Sequence, residues 1–567
     1  MASPTEILLA VLPLIAIAYL MVIQYWPATR AMPVAWVTAV GVGVVGWQMT
    51  PRWIAAATIN GFITAASILW IVFGAILLLY TLKQTGAFDA INAGFASVSE
   101  DRRVQVVLLV FLLGSFIEAA AGFGTPAAVV GPLLVGLGFP PLAAVVVALT
   151  GNLMAITFGA VGTPLIIGLQ DVFETTDIAT PAGTSVPEWV AQIGVWAATF
   201  HVTIGVLLPF IGVAMMTRFF GEERSIKPAL EVLPLTLFAW FTFAVPYWLT
   251  AYFIGPVFPG LIGSMSGMVF TVGALKAGFF HPDDDWDFAP QETWPTHWVG
   301  DIKPGETSPR EGTIAADGGV VTERMPLWKA WMPYVLLAAL LVLTRVWTPL
   351  TDFLTSTLVL AWDDILGTGL DNDLSLLYLP GAAFVFVHLL TIPLQDMKPG
   401  EIKDAWVETG EKVMPAVIAL LFAVATVQIM IQSGKAAGID SMLTILSDAT
   451  ANFAGGVYPF FAALVGAFGA FLAGSNTVSD ILFGTFQYNV AQNLGVSRTI
   501  LVGSQAVGGA IGNLIAVHNV VAALAVVGLV GEEGRVIRLE LIPLAYYAVA
   551  TGLLTMLFVF VIFPGVF

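Results

Sequence analysis

A few ionisable side chains stand inside long apolar stretches of this sequence, and they are its first candidates for chemistry. Glu118 ends an apolar run, Asp480 follows a glycine-rich interruption, and His518 lies in a later interruption. An ionisable group in an apolar helix is costly, which makes it a functional candidate. Glu118 and Asp480 are the cation-coupling candidates, as proton carriers or, for Asp480, as a cation ligand. His518 is a substrate-binding candidate because its imidazole can donate a hydrogen bond or titrate near neutral pH.

Each of these residues also has a structural interpretation, which the sequence leaves open. Glu118 could accept hydrogen bonds from the backbone N–H groups of the neighbouring break. Asp480, expected in the first turn of a half-helix, could stabilise the positive end of the helix dipole. His518 could be a core histidine whose ring nitrogens are satisfied by neighbours.

Small hydroxyl and amide side chains occur at two glycine-rich interruptions, Gly122-Phe-Gly-Thr125 and Gly474-Ser-Asn-Thr477. A helix that starts at such a point presents free N–H groups and a partial positive charge, which can bind a carboxylate without a cationic side chain. The alternative is a pair of packing loops with no ligand. The substrate-binding candidates here, with one amide from a later segment, are Gly122, Gly124, Thr125, Ser475, Asn476, Thr477 and Asn513.

The composition places these segments in a membrane. Of the 567 residues, 58% are hydrophobic and 10% are charged, whereas soluble domains carry about 25% charged residues. Many segments approach the roughly 20 apolar residues that cross a bilayer. The sequence therefore predicts an all-α, multi-pass protein of a prokaryotic plasma membrane, with the lipid bilayer as its surroundings.

Charge and cysteine content exclude several classes of protein. The chain has no cysteine, which excludes disulfides and thiolate metal sites. The formal net charge is −17 and no basic patch occurs, which argues against a nucleic-acid partner. The acidic loops are either ordinary solvated surface or an adaptation to high salt. No paired catalytic carboxylates, His-rich metal motif or nucleophile–base signature is evident, so we expect neither an enzyme nor a cofactor.

The first glycine-rich interruption separates two short apolar runs. Val104–Glu118 covers only about 22 Å as a helix, too short to span a bilayer, and apolar sequence resumes as far as Gly138. Broken backbone at membrane depth survives only inside protein or beside a wet cavity. We therefore predict a re-entrant helical hairpin over residues 104–138 and a second over 457–493, with broken helices nearby.

Short segments recur in the same order in the two halves of the chain, which indicates two structural repeats. The matching segments are Gln84-Thr-Gly86 with Gln432-Ser-Gly434, Gly114–Glu118 with Gly469–Ala473, Gly122–Thr125 with Gly474–Thr477, and Gly151–Ala155 with Gly512–Ala516. The predicted divisions are N-terminal membrane helices (1–56), the first repeat (57–275), an acidic extramembrane loop (276–328), connecting helices (329–404) and the second repeat (405–567).

The predicted site favours a small substrate with one negative charge. The repeat segments contain almost no Arg or Lys at predicted membrane depth. A monocarboxylate needs one helix terminus, whereas a dicarboxylate needs further positive charge, which a coupled cation could supply. Transporters built from repeats bind their substrates near the bilayer midplane, where discontinuous helices meet.

Several motifs resemble the bacterial and archaeal L-lactate permease family over most of the chain. They are Gly122-Phe-Gly-Thr-Pro126, Gly136-Leu-Gly-Phe-Pro-Pro141, Phe158-Gly-Ala-Val-Gly-Thr-Pro164, Ala473-Gly-Ser-Asn-Thr-Val-Ser479, Phe486-Gln-Tyr488, Gln505-Ala-Val-Gly-Gly509 and Gly512-Asn-Leu-Ile-Ala-Val-His-Asn-Val-Val521. The resemblance implies transport of lactate and glycolate-like substrates, usually with a proton. It also implies a homodimer of inverted repeats, in which a transport domain moves against a scaffold domain as an elevator.

The resemblance extends to a larger superfamily of ion transporters, in which Ser-Asn-Thr at hairpin tips binds Na⁺ and substrate. Ser475-Asn476-Thr477 matches that motif, whereas Gly122-Phe-Gly-Thr125 departs from it. The departure puts an equivalent first Na⁺ site in doubt and favours proton coupling. We therefore expect proton-coupled import of a 2-hydroxy monocarboxylate. A Na⁺-coupled di- or tricarboxylate carrier and an anion channel are the alternatives.

Overall fold

The computed structural model describes residues 3–24, 26–87, 90–91, 94, 98–122, 125–176, 178–300, 325–437, 439–529 and 531–567. Most of these residues are helical. The helices of the first half are α1 (Pro4–Ala18), α2 (Ala28–Trp47), α3 (Pro51–Gln84), α4 (Arg102–Ala121), α5 (Thr125–Gly136), α6 (Pro141–Gly151), α7 (Leu153–Ile156), α8 (Gly159–Leu165), α9 (Asp171–Glu174), α10 (Val186–Ile204), α11 (Leu208–Phe220), α12 (Lys227–Glu231), α13 (Leu233–Phe253) and α14 (Pro259–Lys276).

The second half is helical apart from one short β-hairpin. Its elements are α15 (Leu327–Val346), α16 (Thr348–Ser356), β1 (Val359–Trp362), β2 (Asn372–Ser375), α17 (Pro380–Leu394), α18 (Pro399–Ala437), α19 (Met442–Ala454), α20 (Tyr458–Ala473), α21 (Asn476–Leu494), α22 (Arg498–Asn513), α23 (Val517–Ala525) and α24 (Glu533–Leu557). The strands pair antiparallel, with Val359 opposite Ser375. The all-α expectation is therefore wrong at this hairpin, within the predicted connecting helices.

Eight helices in the described part of the chain are long and apolar enough to cross a membrane. They are Thr29–Trp47, Pro51–Gln84, Arg102–Ala121, Val186–Phe220, Leu233–Phe253, Pro399–Lys435, Met442–Phe471 and Glu533–Ile562. Their length and composition are those of a multi-pass membrane protein.

The two longest helices, α3 and α18, pack closely along each other. A side chain on Gly61 of α3 would meet the Ala425 backbone of α18, with its Cβ only 2.6 Å from the Ala425 Cα. Glycine at this position therefore lets the two helix backbones approach, as small residues do at helix interfaces in membranes.

The first arm of the predicted hairpin 104–138 is longer than the sequence suggested. The sequence predicts an arm Val104–Glu118 that is too short to span, but α4 has 20 residues, enough to cross a bilayer by length and composition. The helix gains two residues at its start, where the Asp101 carboxylate accepts from the backbone N–H groups of Arg103 and Val104, and three at its end, where it continues to Ala121. All of α4's apolar span is buried within the protein.

The described part of the acidic loop, residues 276–300, packs against the start of α4. Arg103 is buried and forms ion pairs with Asp101 (2.7 Å) and Glu231 (2.5 Å), and it also donates to the Asp284 carbonyl oxygen (2.7 Å). Arg102 pairs with Asp287 at 3.0 Å. These contacts fix one face of the loop to the membrane helices, while residues 301–324 lie outside the described residues.

Candidate functional site

The first glycine-rich interruption ends α4 with a glycine in a conformation that other residues rarely adopt. Gly122 has φ 61° and ψ −156°, and a Cβ there would lie 3.0 Å from the Cβ of Ala160. Glycine therefore both turns the chain and admits the neighbouring α8 backbone. Gly124 lies outside the described residues. Thr125 begins α5, but its side chain is not among those described.

The second interruption ends α20 and starts α21 within two residues. Gly474 has φ 67°, in the left-handed region, and Ser475 is the N-cap of α21, accepting from the Val478 N–H at 3.5 Å. Asn476 and Thr477 form the first turn of α21, where backbone N–H groups have no carbonyl partner within the helix. This tip therefore carries the positive end of a helix dipole.

Both interrupted segments are followed by helices that also break. α6 ends at Gly151, and Asn152 leads into the short helix α7; α22 ends at Asn513, and α23 starts at Val517. The breaks expose peptide groups that a continuous helix would satisfy internally.

A sharper distortion occurs in α8, within the Phe158–Pro164 motif. Ala160, Val161 and Gly162 have φ values of 42°, 54° and 81°. Left-handed backbone is strained for residues with a side chain, and such strain gathers at functional sites.

The two interruptions and the two broken segments surround one cavity of about 270 Å³. Six of the site residues predicted from the sequence line it: Glu118, Gly122, Ser475, Asn476, Thr477 and Asn513. The remaining lining residues, which sequence reasoning did not single out, are Ile156, Gly159, Ala160, Thr163, Pro164 and Gly474.

Glu118 is the acidic residue of the cavity wall and is 2% exposed. Its Oε2 accepts a hydrogen bond from Asn152 Nδ2 at 3.2 Å. Its Oε1 faces Gly159, where an added Cβ would lie 2.7 Å from that oxygen. Among the described residues, Glu118 therefore accepts from the side-chain amide of Asn152 at the α6 break. The structural interpretation of Glu118 had backbone N–H groups as the donors.

The cavity has few groups that could offset charge. Neither lysine nor arginine is among its lining residues in the described part of the chain. An anion that enters would meet the Glu118 carboxyl on one side and the N-terminus of α21 on the other.

Asp480 lies one turn deeper in α21 than the sequence suggested and does not line the cavity. Ser475 provides the N-cap, and no acidic residue stands in the first turn of α21, whose residues are all described. The expected dipole-capping role of Asp480 is therefore wrong. Its side chain is fully buried, with Oδ1 3.4 Å from Gln505 Nε2, while Oδ2 has no hydrogen-bond partner among the described residues.

Asn476 is held in place by α22. Its Nδ2 donates to the Ala506 carbonyl at 3.0 Å, and its Oδ1 has no hydrogen-bond partner among the residues described. Gly509 leaves the necessary space, because a Cβ at that position would overlap Asn476 Oδ1 at 1.6 Å. The Gln505-Ala-Val-Gly-Gly509 motif therefore shapes the second tip.

Two further predicted residues lie near the second break. Asn513 Oδ1 accepts from Asn519 Nδ2 at 2.9 Å, which orients the amide at the cavity wall. His518 is the second residue of α23, and its side chain lies outside the described part of the structure.

His201 has partners that its local sequence does not reveal. It is fully buried, with Nε2 2.8 Å from Thr157 Oγ1 and Nδ1 2.9 Å from the Tyr547 hydroxyl. Thr157 Oγ1 also donates to the Ala506 carbonyl oxygen, which accepts from Asn476. A polar network therefore extends from the second tip to α24.

Comparison with known proteins identifies relatives along the whole length of the chain. The family described as L-lactate permease matches residues 6–562. A putative L-lactate permease of Haemophilus influenzae is 26% identical, with 96% of this chain and 97% of the relative covered. An L-lactate permease of Bacillus subtilis is 27% identical over 83% of this chain and 80% of its own. The glycolate permease GlcA of Escherichia coli is 27% identical over 97% and 95%.

Two solved transporter structures resemble the chain only distantly. The YdaH transporter of Alcanivorax borkumensis has a TM-score of 0.40 and 14% identity, and covers 89% of this chain and 87% of its own. MtrF of Neisseria gonorrhoeae has a TM-score of 0.39 and 12% identity, with 90% and 84% covered. The match over residues 6–562 decides the family: this chain belongs to the L-lactate permeases.

Proposed function

We propose that this protein is a secondary active transporter that imports L-lactate or a related 2-hydroxy monocarboxylate together with a cation, most simply a proton. The observation that carries the proposal is the cavity between the two interruptions, with one carboxyl, Glu118, one helix N-terminus and no lining lysine or arginine among the described residues. Membership of the L-lactate permease family and the names of the permease relatives support the substrate class.

The charge balance of the cavity supports symport. A substrate carboxylate and an ionised Glu118 in the same small space repel each other, and low polarity strengthens that repulsion. A proton on Glu118 removes the repulsion and leaves the N-terminus of α21 to attract the anion. Substrate and proton therefore favour each other's binding, which is the thermodynamic basis of coupling.

The polarity of the cavity wall supports a monocarboxylate with a hydroxyl group. Asn476, Thr477 and Asn513 bring amide and hydroxyl groups to its wall, and these can exchange hydrogen bonds with a 2-hydroxyl. A second substrate carboxylate would lack a described cationic partner there. The charge of the substrate thus favours lactate-like monoanions over citrate-like anions.

Sodium is the second candidate for the coupling ion, and two oxygens at the second tip favour it. Asn476 Oδ1 and Asp480 Oδ2 are buried acceptors without a described hydrogen-bond partner. Hard cations prefer oxygen ligands of this kind. Sodium bound beside Asp480 would serve the same electrostatic purpose as a proton on Glu118.

The proposed mechanism is alternating access by an elevator movement. In each half a helix pair with a short tip precedes a broken helix, α4–α5 before α6 and α20–α21 before α22, which supports two re-entrant hairpins in inverted repeats. The transport domain would contain both tips and slide against a scaffold domain, within a homodimer in the plasma membrane.

Reconstitution tests this proposal directly. Purified protein in liposomes should accumulate labelled lactate when an inward proton gradient is imposed, and unlabelled external lactate should exchange with it. A sodium gradient imposed alone distinguishes the two coupling ions, and competition by succinate or citrate tests the substrate class. Flux without saturation or exchange would indicate a channel and contradict the transporter.

A further inference from the structure

Another buried carboxyl, Glu540, lies away from the cavity in the first half of α24. Its side chain is 0% exposed. Each of its carboxyl oxygens lies 3.1 Å from Thr150 Oγ1 of α6, and this hydroxyl is its hydrogen-bond partner among the described residues. A buried carboxylate with a single neutral partner is costly, so this environment favours the protonated acid.

The hydroxyl of Thr150 gives a second reason for a proton at Glu540. A hydroxyl has one proton to donate and two lone pairs to accept with. Thr150 Oγ1 also lies 3.2 Å from the Val146 carbonyl oxygen, which can only accept. When Thr150 donates to Val146, its contact with Glu540 is a hydrogen bond only if Glu540 carries a proton and donates it to Thr150.

The charged and titratable groups of the surrounding helices are engaged elsewhere or lie apart from Glu540. On α24, Arg535 pairs with Glu532 and Arg538 is exposed. α6 has no ionisable residue. The other helices that pack against α24 carry five titratable or charged groups. Four of them have hydrogen-bond partners other than Glu540: Tyr458 with Gln487, Arg498 with Tyr488, Glu188 with Ser185, and His201 with Tyr547. The fifth is His518, whose side chain is not described.

The α6 terminus connects Glu540 to the cavity. Thr150 contacts Glu540 and Asn152 contacts Glu118, and these two residues flank Gly151. Gly151 is pressed against α4, because a Cβ there would lie 2.2 Å from Val110 Cγ1 and 3.0 Å from the Val110 backbone carbon. A shift of the α6 terminus therefore changes the surroundings of both carboxyls together.

We propose that Glu540 is a second protonation site of the transport cycle, distinct from Glu118. In the conformation described, the Glu540 carboxyl holds a proton that it shares with Thr150. When the contact between α6 and α24 opens, water reaches the carboxyl, accepts the proton and leaves the carboxylate hydrated; closure requires a proton to be taken up again. This inference rests on the proposed transport function and adds a proton-exchange step to it.

Glu540→Gln tests the site while keeping an acceptor and a donor for Thr150. We expect proton-gradient-driven accumulation of lactate to fall at least about tenfold, whereas lactate exchange at equal pH stays within about twofold, because the cavity is untouched. The infrared band of a protonated carboxylic acid should also diminish. Glu533→Gln, at the half-buried start of the same helix, is the matched control and should change neither quantity.

Two outcomes would overturn the inference. Loss of the infrared band with an unchanged proton-to-lactate ratio and pH profile would make Glu540 a permanently protonated structural residue, and retention of the band would show that Glu540 carries no proton.

If Glu540→Gln does not fold, Glu540→Asp keeps the carboxyl at a longer reach from Thr150. Its pH profile should then shift by about one unit or more, and an unchanged profile contradicts the site. The infrared band is measured without substrate and therefore reports on Glu540 alone. If the wild-type protein does not transport lactate, that result contradicts the proposed function and is distinguishable from a failure of the Glu540 site.

Discussion

The two interruptions that meet at the cavity differ in what they bring to it. The first places a carboxyl, Glu118, near the C-terminal end of α4 and beside the left-handed backbone of α8. The second places a capped helix N-terminus with Asn476 and Thr477 at the cavity wall. Its acidic residue, Asp480, lies one turn further along α21 and does not line the cavity. In the proposed mechanism the first interruption therefore binds the cation and the second binds the anion.

The strongest test of this division is Glu118→Gln. The variant keeps an oxygen that can accept from Asn152 but loses the titratable group, so proton-driven accumulation of lactate should fall by about 100-fold, near the upper end of coupling energies. Uptake in liposomes under a proton gradient measures it. Glu222→Gln, an exposed carboxyl outside the helices, is the control. Normal accumulation in the Glu118 variant would remove this residue from coupling.

Substitutions at the second tip should weaken substrate binding while leaving coupling intact. Asn476→Ala and Thr477→Ala each remove one polar group from the cavity wall, and the loss of a hydrogen bond to a charged ligand costs about 1.5–3 kcal/mol. We expect the half-saturating lactate concentration to rise about tenfold or more, with an unchanged proton-to-lactate ratio. Unchanged apparent affinity in both variants would argue against the second tip as the anion site.

Gly509 allows a finer test of the same tip. Gly509→Ala should displace Asn476, whose Oδ1 occupies the space of the new Cβ, and should weaken lactate affinity severalfold. In an Asn476→Ala background the overlap with Oδ1 is absent, so the same substitution should cost much less. Additive effects in this double-mutant cycle would show that Gly509 acts elsewhere. Gly410→Ala, where the added Cβ meets nothing within 4 Å, controls for the helix.

The smallest effect is expected at Asp480. Asp480→Asn keeps the oxygen that contacts Gln505 and lies outside the cavity lining, so proton-driven uptake should stay within about twofold of the wild type. Loss of uptake in this variant, together with strict sodium dependence of the wild type, would assign cation coupling to Asp480 in place of Glu118.

Local sequence signals located the interruptions well. Glycine-rich tetrapeptides predicted both tips, and Gly122 and Gly474 indeed have positive φ at the ends of α4 and α20. The predicted hairpin ranges 104–138 and 457–493 overlap helices over 102–121, 125–136, 458–473 and 476–494, while their re-entrant arrangement in a membrane stays a prediction. Glycine was informative here because the required conformation excludes most other residues.

Signals that depend on distant partners were missed. His201 showed no partner in its own segment, but its ring contacts Tyr547, which is 346 residues away. Glu540 went unnoticed because its partner Thr150 is 390 residues distant. The cap that Asp101 forms places the start of α4 two residues before the predicted start. Pairings of this kind are set by packing, which one sequence does not display.

The left-handed backbone at Ala160–Gly162 affects how readily the protein leaves the described conformation. Two of its residues have side chains, and each left-handed residue of that kind stores roughly 1–2 kcal/mol. Here neighbouring segments supply that energy through contacts such as that of Gly162 with Pro256, which lies between α13 and α14. In the proposed transport cycle, a state in which these contacts loosen would release this strain energy, which would lower the free-energy cost of leaving the described conformation beside the substrate cavity.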